Sequence, residues 1–152
     1  MGKVRPRLDL SIFGVPREDP GYIYVIQNHG RFKIGKCKTV SLRLKAARTW
    51  LPDMTVLGHK PFWNVSNIER ELHTGFSLHW YAGEWFEFAE EYDRQILISG
   101  FLEFSDSDRD TNSVDFIYWF NSEGIAEYVI ERQQQGLTLP KFLRRESSSK
   151  KG

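Results

Sequence analysis

The chain has 152 residues and one cysteine, which is enough for one domain with a substantial core but excludes an internal disulfide. Its hydrophobic content of 40% is typical of globular proteins, and no apolar run approaches the length of a membrane span. The first residues contain no apolar signal core. We therefore expect a soluble, intracellular protein with no membrane partner, cytoplasmic or, as the alternative, nuclear.

The net charge of +1 conceals a strong segregation of charge along the chain. Residues 1–60 contain 12 Lys or Arg against 4 Asp or Glu, residues 61–131 contain 3 against 15, and residues 132–152 contain 6 against 1. A basic first part is what a phosphate-binding face requires. The alternative is that the oppositely charged segments fold against one another and largely neutralise.

Residues 1–20 precede the first regular pattern and carry Lys3, Arg5 and Arg7 among three prolines. Such a composition predicts a basic arm that contacts backbone phosphates. A loosely packed terminus is the alternative.

Residues 21–35 read GYIYVIQNHGRFKIG, two β-forming runs around His29-Gly30, and predict a hairpin with a two-residue loop. In that register Tyr24 lies opposite Gly35 and shares a sheet face with Lys33. A phenol and an ammonium together can position a water or hold a phosphate, and Gly35 would leave space for a ligand. The alternative is that the tyrosines are ordinary residues of a half-buried strand.

A helix is predicted over residues 41–49, with Thr39 or Ser41 as its cap. Arg43 on this helix could direct its planar fork at a phosphate. The alternative is a solvated basic face shared with Lys45 and Arg48.

Residues 54–60 have strand character and predict a third strand beside the hairpin. The following Ser66-Asn67-Ile68-Glu69 has the pattern of a capping box, which would use the Glu69 carboxylate to close the start of a helix. Glu69 and His73 are four residues apart and share a stripe that could face a cleft. The Glu69 carboxylate could instead hold one hard divalent cation.

Residues 83–88 alternate as an aromatic strand at an edge or on top of the core, and residues 89–99 predict a helix. The acidic stretch 106–110 lacks the glycine and the final glutamate of a calcium loop, so we interpret it as a polar linker. Residues 113–135 predict an interrupted helix that covers the domain or binds a partner, and residues 141–152 predict a disordered basic tail.

The hairpin residues resemble a known signature. Tyr22-Ile23-Tyr24-Val25-Ile26-Gln27-Asn28 followed by Lys33-Ile34-Gly35 is similar to the paired motif of the GIY-YIG nuclease superfamily, in a branch of small proteins with KIG as its second half. Arg43 stands at the position of the family's helical arginine, Glu69-Arg70-Glu71-Leu72-His73 resembles the branch's E-x-x-L-H helix, and residues 83–86 resemble its next strand. The resemblance covers residues 21–99. Lys33 replaces the usual tyrosine, and Ala47 stands where some members have a histidine.

This resemblance implies an α/β fold in which a small, mainly antiparallel three-stranded sheet is flanked by helices over residues 21–99. A helical extension would occupy residues 100–140. The implied activity is metal-dependent hydrolysis of nucleic-acid phosphodiesters, with DNA as the expected partner.

The resemblance also implies roles for individual residues. Tyr24 would position or activate the water, Lys33 would replace the second tyrosine, and Arg43 would stabilise phosphorane charge. Glu69 would hold one Mg²⁺ or Mn²⁺ ion. Together with the hairpin register it marks, as candidate substrate-binding or site-lining residues, Tyr22, Gly35, Lys36, Arg48, His73, Glu84 and Trp85.

Two other classes of function remain open from the sequence. A non-cleaving nucleic-acid-binding module would use the same fold with Glu69 as a cap only. A protein-interaction adaptor would use the acidic surface of residues 61–131 and the C-terminal helix.

Overall fold

The computed structural model describes residues 9–122. Its strands are β1 Gly21–Asn28, β2 Arg31–Cys37, β3 Thr55–Phe62, β4 Trp80–Ala82 and β5 Trp85–Phe86. Its α-helices are α1 Val40–Trp50, α2 Val65–Gly75, α3 Glu91–Leu102 and α4 Arg109–Ser122. Short 3₁₀ turns occupy Leu10–Phe13 and Ser77–His79.

The strands form one antiparallel sheet in the order β3-β1-β2-β5-β4. The mixed α/β class is as predicted, but the prediction of three strands is wrong because β4 and β5 extend the sheet to five. These two strands have only three and two residues, and Gly83 turns the chain between them with φ +58°. Segments this short carry too little alternation to be separated from one longer aromatic strand.

The predicted register of the β1–β2 hairpin is confirmed: Tyr24 pairs with Gly35, and Asn28 pairs with Arg31. His29 and Gly30 form the two-residue loop with φ values of 52° and 78°. Two consecutive positive φ angles give the turn that matches strand twist. The predicted third strand is also confirmed, since β3 pairs antiparallel with β1.

Helices cover both faces of the sheet unequally. The larger core lies on the face covered by α2, α3 and α4 and is rich in phenylalanine. On the other face α1 alone packs over a smaller cluster built on Tyr24, Ile26 and Met54. No residue of α1 is itself fully buried. The Tyr24 face is therefore the open side of the domain.

Residues beyond the segment 21–99 belong to the same core. Phe101 and Phe104 after the predicted boundary at residue 99 pack with Phe116 of α4 against the sheet. The stretch 106–110 is also more than a linker, because Asp108 caps α4 through the Thr111 N–H at 3.0 Å. A division between residues 99 and 100 would therefore cut through one hydrophobic core.

Residues 9–20, the described part of the predicted arm, dock on the domain. Leu10 is buried, and Arg17 forms an ion pair with Asp110 at 3.0 Å. Like this pair, the Lys60–Asp106 pair at 2.8 Å joins the basic first part to the acidic second part. The two charged segments thus partly neutralise each other.

The predicted basic residues of the arm and the segments after residue 122 lie outside the described residues. Within residues 9–122, no helix combines the length and apolar character needed to cross a membrane.

Candidate functional site

Tyr24 lies at the centre of the hairpin face and is almost completely buried, with 1% of its surface exposed. Its ring lies over Gly35, and a Cβ at position 35 would clash with the Tyr24 hydroxyl and ring. The expectation that Gly35 leaves space for a ligand is therefore wrong: the tyrosine itself occupies that space. Gly35 acts by admitting the Tyr24 ring, and no other residue type fits there.

We predict that Gly35→Ala destabilises the protein by about 1–3 kcal/mol, because an extra carbon would overpack this contact. The same substitution in a Tyr24→Ala background should cost much less, since the clashing ring is gone. Urea unfolding of the two single variants and the double variant measures the coupling. If the losses of stability in the two single variants simply add up in the double variant, the Tyr24 ring does not contact Gly35 as described.

Arg43 extends from α1 toward Tyr24. Burial raises the pKa of the Tyr24 phenol above its usual range, and the Arg43 guanidinium opposes this increase. Burial likewise raises the pKa of the Cys37 thiol, and the same guanidinium opposes that increase. Arg43 itself is exposed on α1. Arg43 therefore interacts with the buried phenol and is also accessible to solvent.

The start of α2 does not contain the predicted capping box. The cap residue is Asn64, and the orphan N–H groups of the first turn are satisfied by residues from before β1. Asp19 accepts from the Ser66 N–H through its carboxylate at 2.9 Å and from the Val65 N–H through its carbonyl at 3.0 Å. The Ser66 N–H holds the pKa of Asp19 below its usual value. Glu69 consequently has no capping role.

Glu69 instead faces a group of charged residues next to β2. Burial raises the pKa of Glu69 to about 7, and the neighbouring Glu84 carboxylate adds to the increase. The Lys36 ammonium and backbone N–H and the Arg43 guanidinium oppose it. A half-buried carboxylate whose pKa is raised in this way is a recognised mark of a functional site.

The resemblance marks Glu84 as a candidate site-lining residue without giving it a chemical role, and the structure places it at the site. It lies in the turn between β4 and β5, where its carbonyl accepts from the Ile34 N–H at 3.2 Å. Its carboxylate is 3.9 Å from the Lys33 ammonium. The same carboxylate contributes to raising the pKa of Tyr24 and of Glu69. The β4–β5 turn thus places a second carboxylate, that of Glu84, near Glu69.

We call the following residues the edge cluster, because they surround the part of β2 that lies beyond its pairing with β5: Tyr24, Lys33, Lys36, Arg43, Glu69 and Glu84.

His73 has a structural role and is not part of the accessible surface of the edge cluster. It is 4% exposed, and its Nε2–H donates to the Ile34 carbonyl at 2.7 Å. Burial lowers the pKa of His73 below its usual value. The hydrogen bond ties α2 to the unpaired edge of β2 and so fixes the position of Glu69 one turn earlier. The predicted role of His73 in substrate binding has no accessible surface to support it.

The remaining predicted substrate-binding residues lie at different depths. Lys36 donates to the Ser66 hydroxyl at 3.1 Å, which holds its ammonium near Glu69. Trp85 and Tyr22 are half-buried against the Tyr24 cluster, and Arg109 lies 5.4 Å from the Tyr22 ring. Arg48 is exposed on the last turn of α1, about 140° around the helix from Arg43. The structure brings Lys36 into the edge cluster and leaves Arg48 outside it.

The two carboxylates of the edge cluster suit a hard divalent cation that keeps part of its water shell. Within residues 9–122 there is no group of three or more His, Cys, Asp or Glu side chains that could hold a metal ion. Glu69 and Glu84 are two carboxylates near enough for one to raise the pKa of the other. Mg²⁺ commonly uses one or two carboxylates and completes its shell with water and substrate phosphates. The pair fits such an ion and does not fit a site built from protein ligands alone.

Comparison with known families matches residues 21–98 to the T5orf172 domain. Neither the curated proteins nor the solved structures give a match. The matched segment begins at β1, contains every residue of the edge cluster and ends within α3. Because it spans just over half of the 152 residues, the chain belongs to the T5orf172 domain family, a nuclease-related family associated with DNA binding.

Proposed function

We propose that the protein is a metal-dependent endonuclease of the GIY-YIG type that hydrolyses phosphodiester bonds in DNA, and that the edge cluster is its active site. The observation that carries this proposal is the Glu69 carboxylate: it has no capping role, it is half-buried, and Glu84 faces it. Burying a carboxylate beside another is unfavourable unless a cation compensates for it. The family association favours DNA as the substrate.

Glu69 and Glu84 would hold one Mg²⁺ or Mn²⁺ ion between α2 and the β4–β5 turn. When bound there, the ion supplies Lewis-acid polarisation of a phosphoryl oxygen. Lys33 pairs with Glu84 at 3.9 Å and so acts as a positioning residue for that carboxylate.

Arg43 provides the fixed positive charge for the scissile phosphate. It is exposed, while its guanidinium reaches the buried phenol and the Glu69 carboxylate. Negative charge develops on the phosphate oxygens during hydrolysis, and a fixed guanidinium stabilises it there most effectively. Arg43 is therefore the substrate-facing cation of the cluster.

The resemblance implies that Tyr24 positions or activates the water, and the burial of its ring favours the first of these two roles. Burial raises its pKa, which disfavours the phenolate near neutral pH. A neutral phenol can still donate and accept one hydrogen bond each. We therefore assign Tyr24 to positioning Arg43 and the attacking water, and not to removing a proton from that water.

The proposal is tested by incubating the full chain with supercoiled plasmid and with labelled duplex oligonucleotides in Mg²⁺, in Mn²⁺ and in EDTA. We expect nicking that requires either ion and leaves the EDTA sample intact. Binding to the same oligonucleotides without cleavage in either ion would contradict the proposal and make the protein a binding module on this fold. Absence of both binding and cleavage would favour the adaptor interpretation.

A further inference from the structure

The exposed surface of α1 carries a tryptophan that packing does not explain. Trp50 is 82% exposed, more than any other large hydrophobic side chain in residues 9–122. The helix packs on the sheet through other residues, among them Leu44 and Ala47. Tryptophan side chains are on average highly buried in folded proteins, so one this exposed is unusual.

Trp50 lies on the same side of α1 as Arg43. The two residues are seven positions apart, which places them about 20° apart around the helix axis and about 10 Å apart along it. Successive bases of a stacked strand rise by about 3.4 Å, so this separation corresponds to about three nucleotides. A strand whose phosphate contacts Arg43 therefore passes within reach of the Trp50 ring.

The charge of α1 identifies the kind of ligand. The helix contains Arg43, Lys45 and Arg48 and no acidic residue. Lys45 and Arg48 are exposed, and in the described part of the chain neither takes part in an ion pair. By helix geometry these two cations project about 140–200° around α1 from Arg43, so Arg43 lies on the Trp50 side and the other two add to the positive field of the helix. A helix with that field and an exposed aromatic ring combines the two elements that bind single-stranded nucleic acid, namely backbone attraction and base stacking.

We propose that Trp50 is a base-stacking residue and that the substrate carries unpaired bases about three nucleotides from the phosphate at Arg43. This inference rests on the proposed function for the position of that phosphate. In an intact duplex each base is already stacked between its neighbours, so the ring can engage a base only where the strand is single or opened. Trp50 thus makes the protein prefer single-stranded or branched DNA over blunt duplex.

The test is fluorescence anisotropy in EDTA, with a labelled single-stranded oligonucleotide and with the blunt duplex of the same sequence. Trp50→Ala should weaken single-strand binding about tenfold and remove most of the preference over duplex. Trp50→Phe should retain most of the affinity, because a phenyl ring still stacks. Tyr92→Ala is the matched control: Tyr92 is an aromatic residue that is 74% exposed on α3, and its loss should change neither affinity.

Unchanged single-strand affinity in Trp50→Ala, an equal loss in Tyr92→Ala, or no single-strand binding by the wild type would each overturn the inference. The same oligonucleotides in Mg²⁺ separate it from the proposed function. Trp50-dependent binding without cleavage would reject the nuclease activity and keep the stacking residue. Cleavage together with binding that does not depend on Trp50 would reject the stacking residue and keep the nuclease activity.

Discussion

Glu69→Gln is expected to lower metal-dependent cleavage at least about a hundredfold and, in the same protein, to increase the stability of the fold at pH 8. The loss of activity is expected because Glu69 is the proposed charged ligand of the metal, and even outer-shell partners of a metal contribute about 10- to 100-fold. The gain in stability follows from the position of the carboxylate. Burial and Glu84 both disfavour its charge, and glutamine keeps the shape without that charge.

The pH dependence of this gain has a defined direction. The pKa of Glu69 is about 7 in the folded protein against 4.5 for an ordinary glutamate. Its contribution to stability is therefore fully present below pH 4.5 and is lost as the pH rises through about 7. Glu69→Gln should be more stable than wild type at pH 8 by about 1–3 kcal/mol, and the difference should nearly disappear at pH 4.5.

Thermal unfolding in EDTA at both pH values measures the stability, and plasmid nicking in Mg²⁺ measures the activity. Glu71→Gln is the matched control on the same helix. Burial also raises the pKa of Glu71, but this residue projects about 200° away from Glu69 and interacts with Asn67. Glu71→Gln should keep full cleavage. Cleavage that survives in Glu69→Gln, or falls equally in both variants, would exclude Glu69 as a ligand.

Arg43→Ala is expected to reduce the cleavage rate about 10²- to 10³-fold, the range found when one charge-stabilising donor is removed from an active site. Arg43→Lys should recover only part of this loss, because an ammonium keeps the charge but not the planar fork that fits a phosphate. Binding of DNA should weaken by a much smaller factor in both variants, since other cations of α1 still attract the backbone.

Single-turnover cleavage in Mg²⁺ and anisotropy in EDTA separate these two effects. Arg94→Ala serves as the control. Arg94 lies on α3, outside the edge cluster, and forms an ion pair with Glu91 at 2.5 Å. A rate loss in Arg43→Ala that is fully explained by weaker binding would show that Arg43 contacts the backbone only.

The parts of the fold that local sequence determines were predictable. The His29-Gly30 loop fixes the register of the hairpin, so the pairing of Tyr24 with Gly35 follows from the turn and the period of the strands. The α1 helix and the β3 strand also follow from their own patterns.

The parts of the structure that depend on residues distant in sequence could not be predicted. The N–H of Ser66 is satisfied by Asp19, 47 residues earlier in the chain, and no local pattern distinguishes this from a capping box. The orientation of the Tyr24 ring over Gly35 depends on packing against α1. Glu84 reaches the site because the seven-residue segment 80–86 forms β4, a turn and β5 beside β2. These three features decide which side chains face the edge cluster.

The proposed activity depends above all on the binding of a divalent cation by the Glu69 carboxylate. Titration of Mn²⁺ followed by electron paramagnetic resonance at pH 8, with wild type, Glu69→Gln and Glu71→Gln, tests it most directly. We predict one Mn²⁺ site in the wild type and in Glu71→Gln, weakened at least about tenfold in Glu69→Gln. Equal Mn²⁺ affinity in all three proteins would show that Glu69 is not a ligand of the ion.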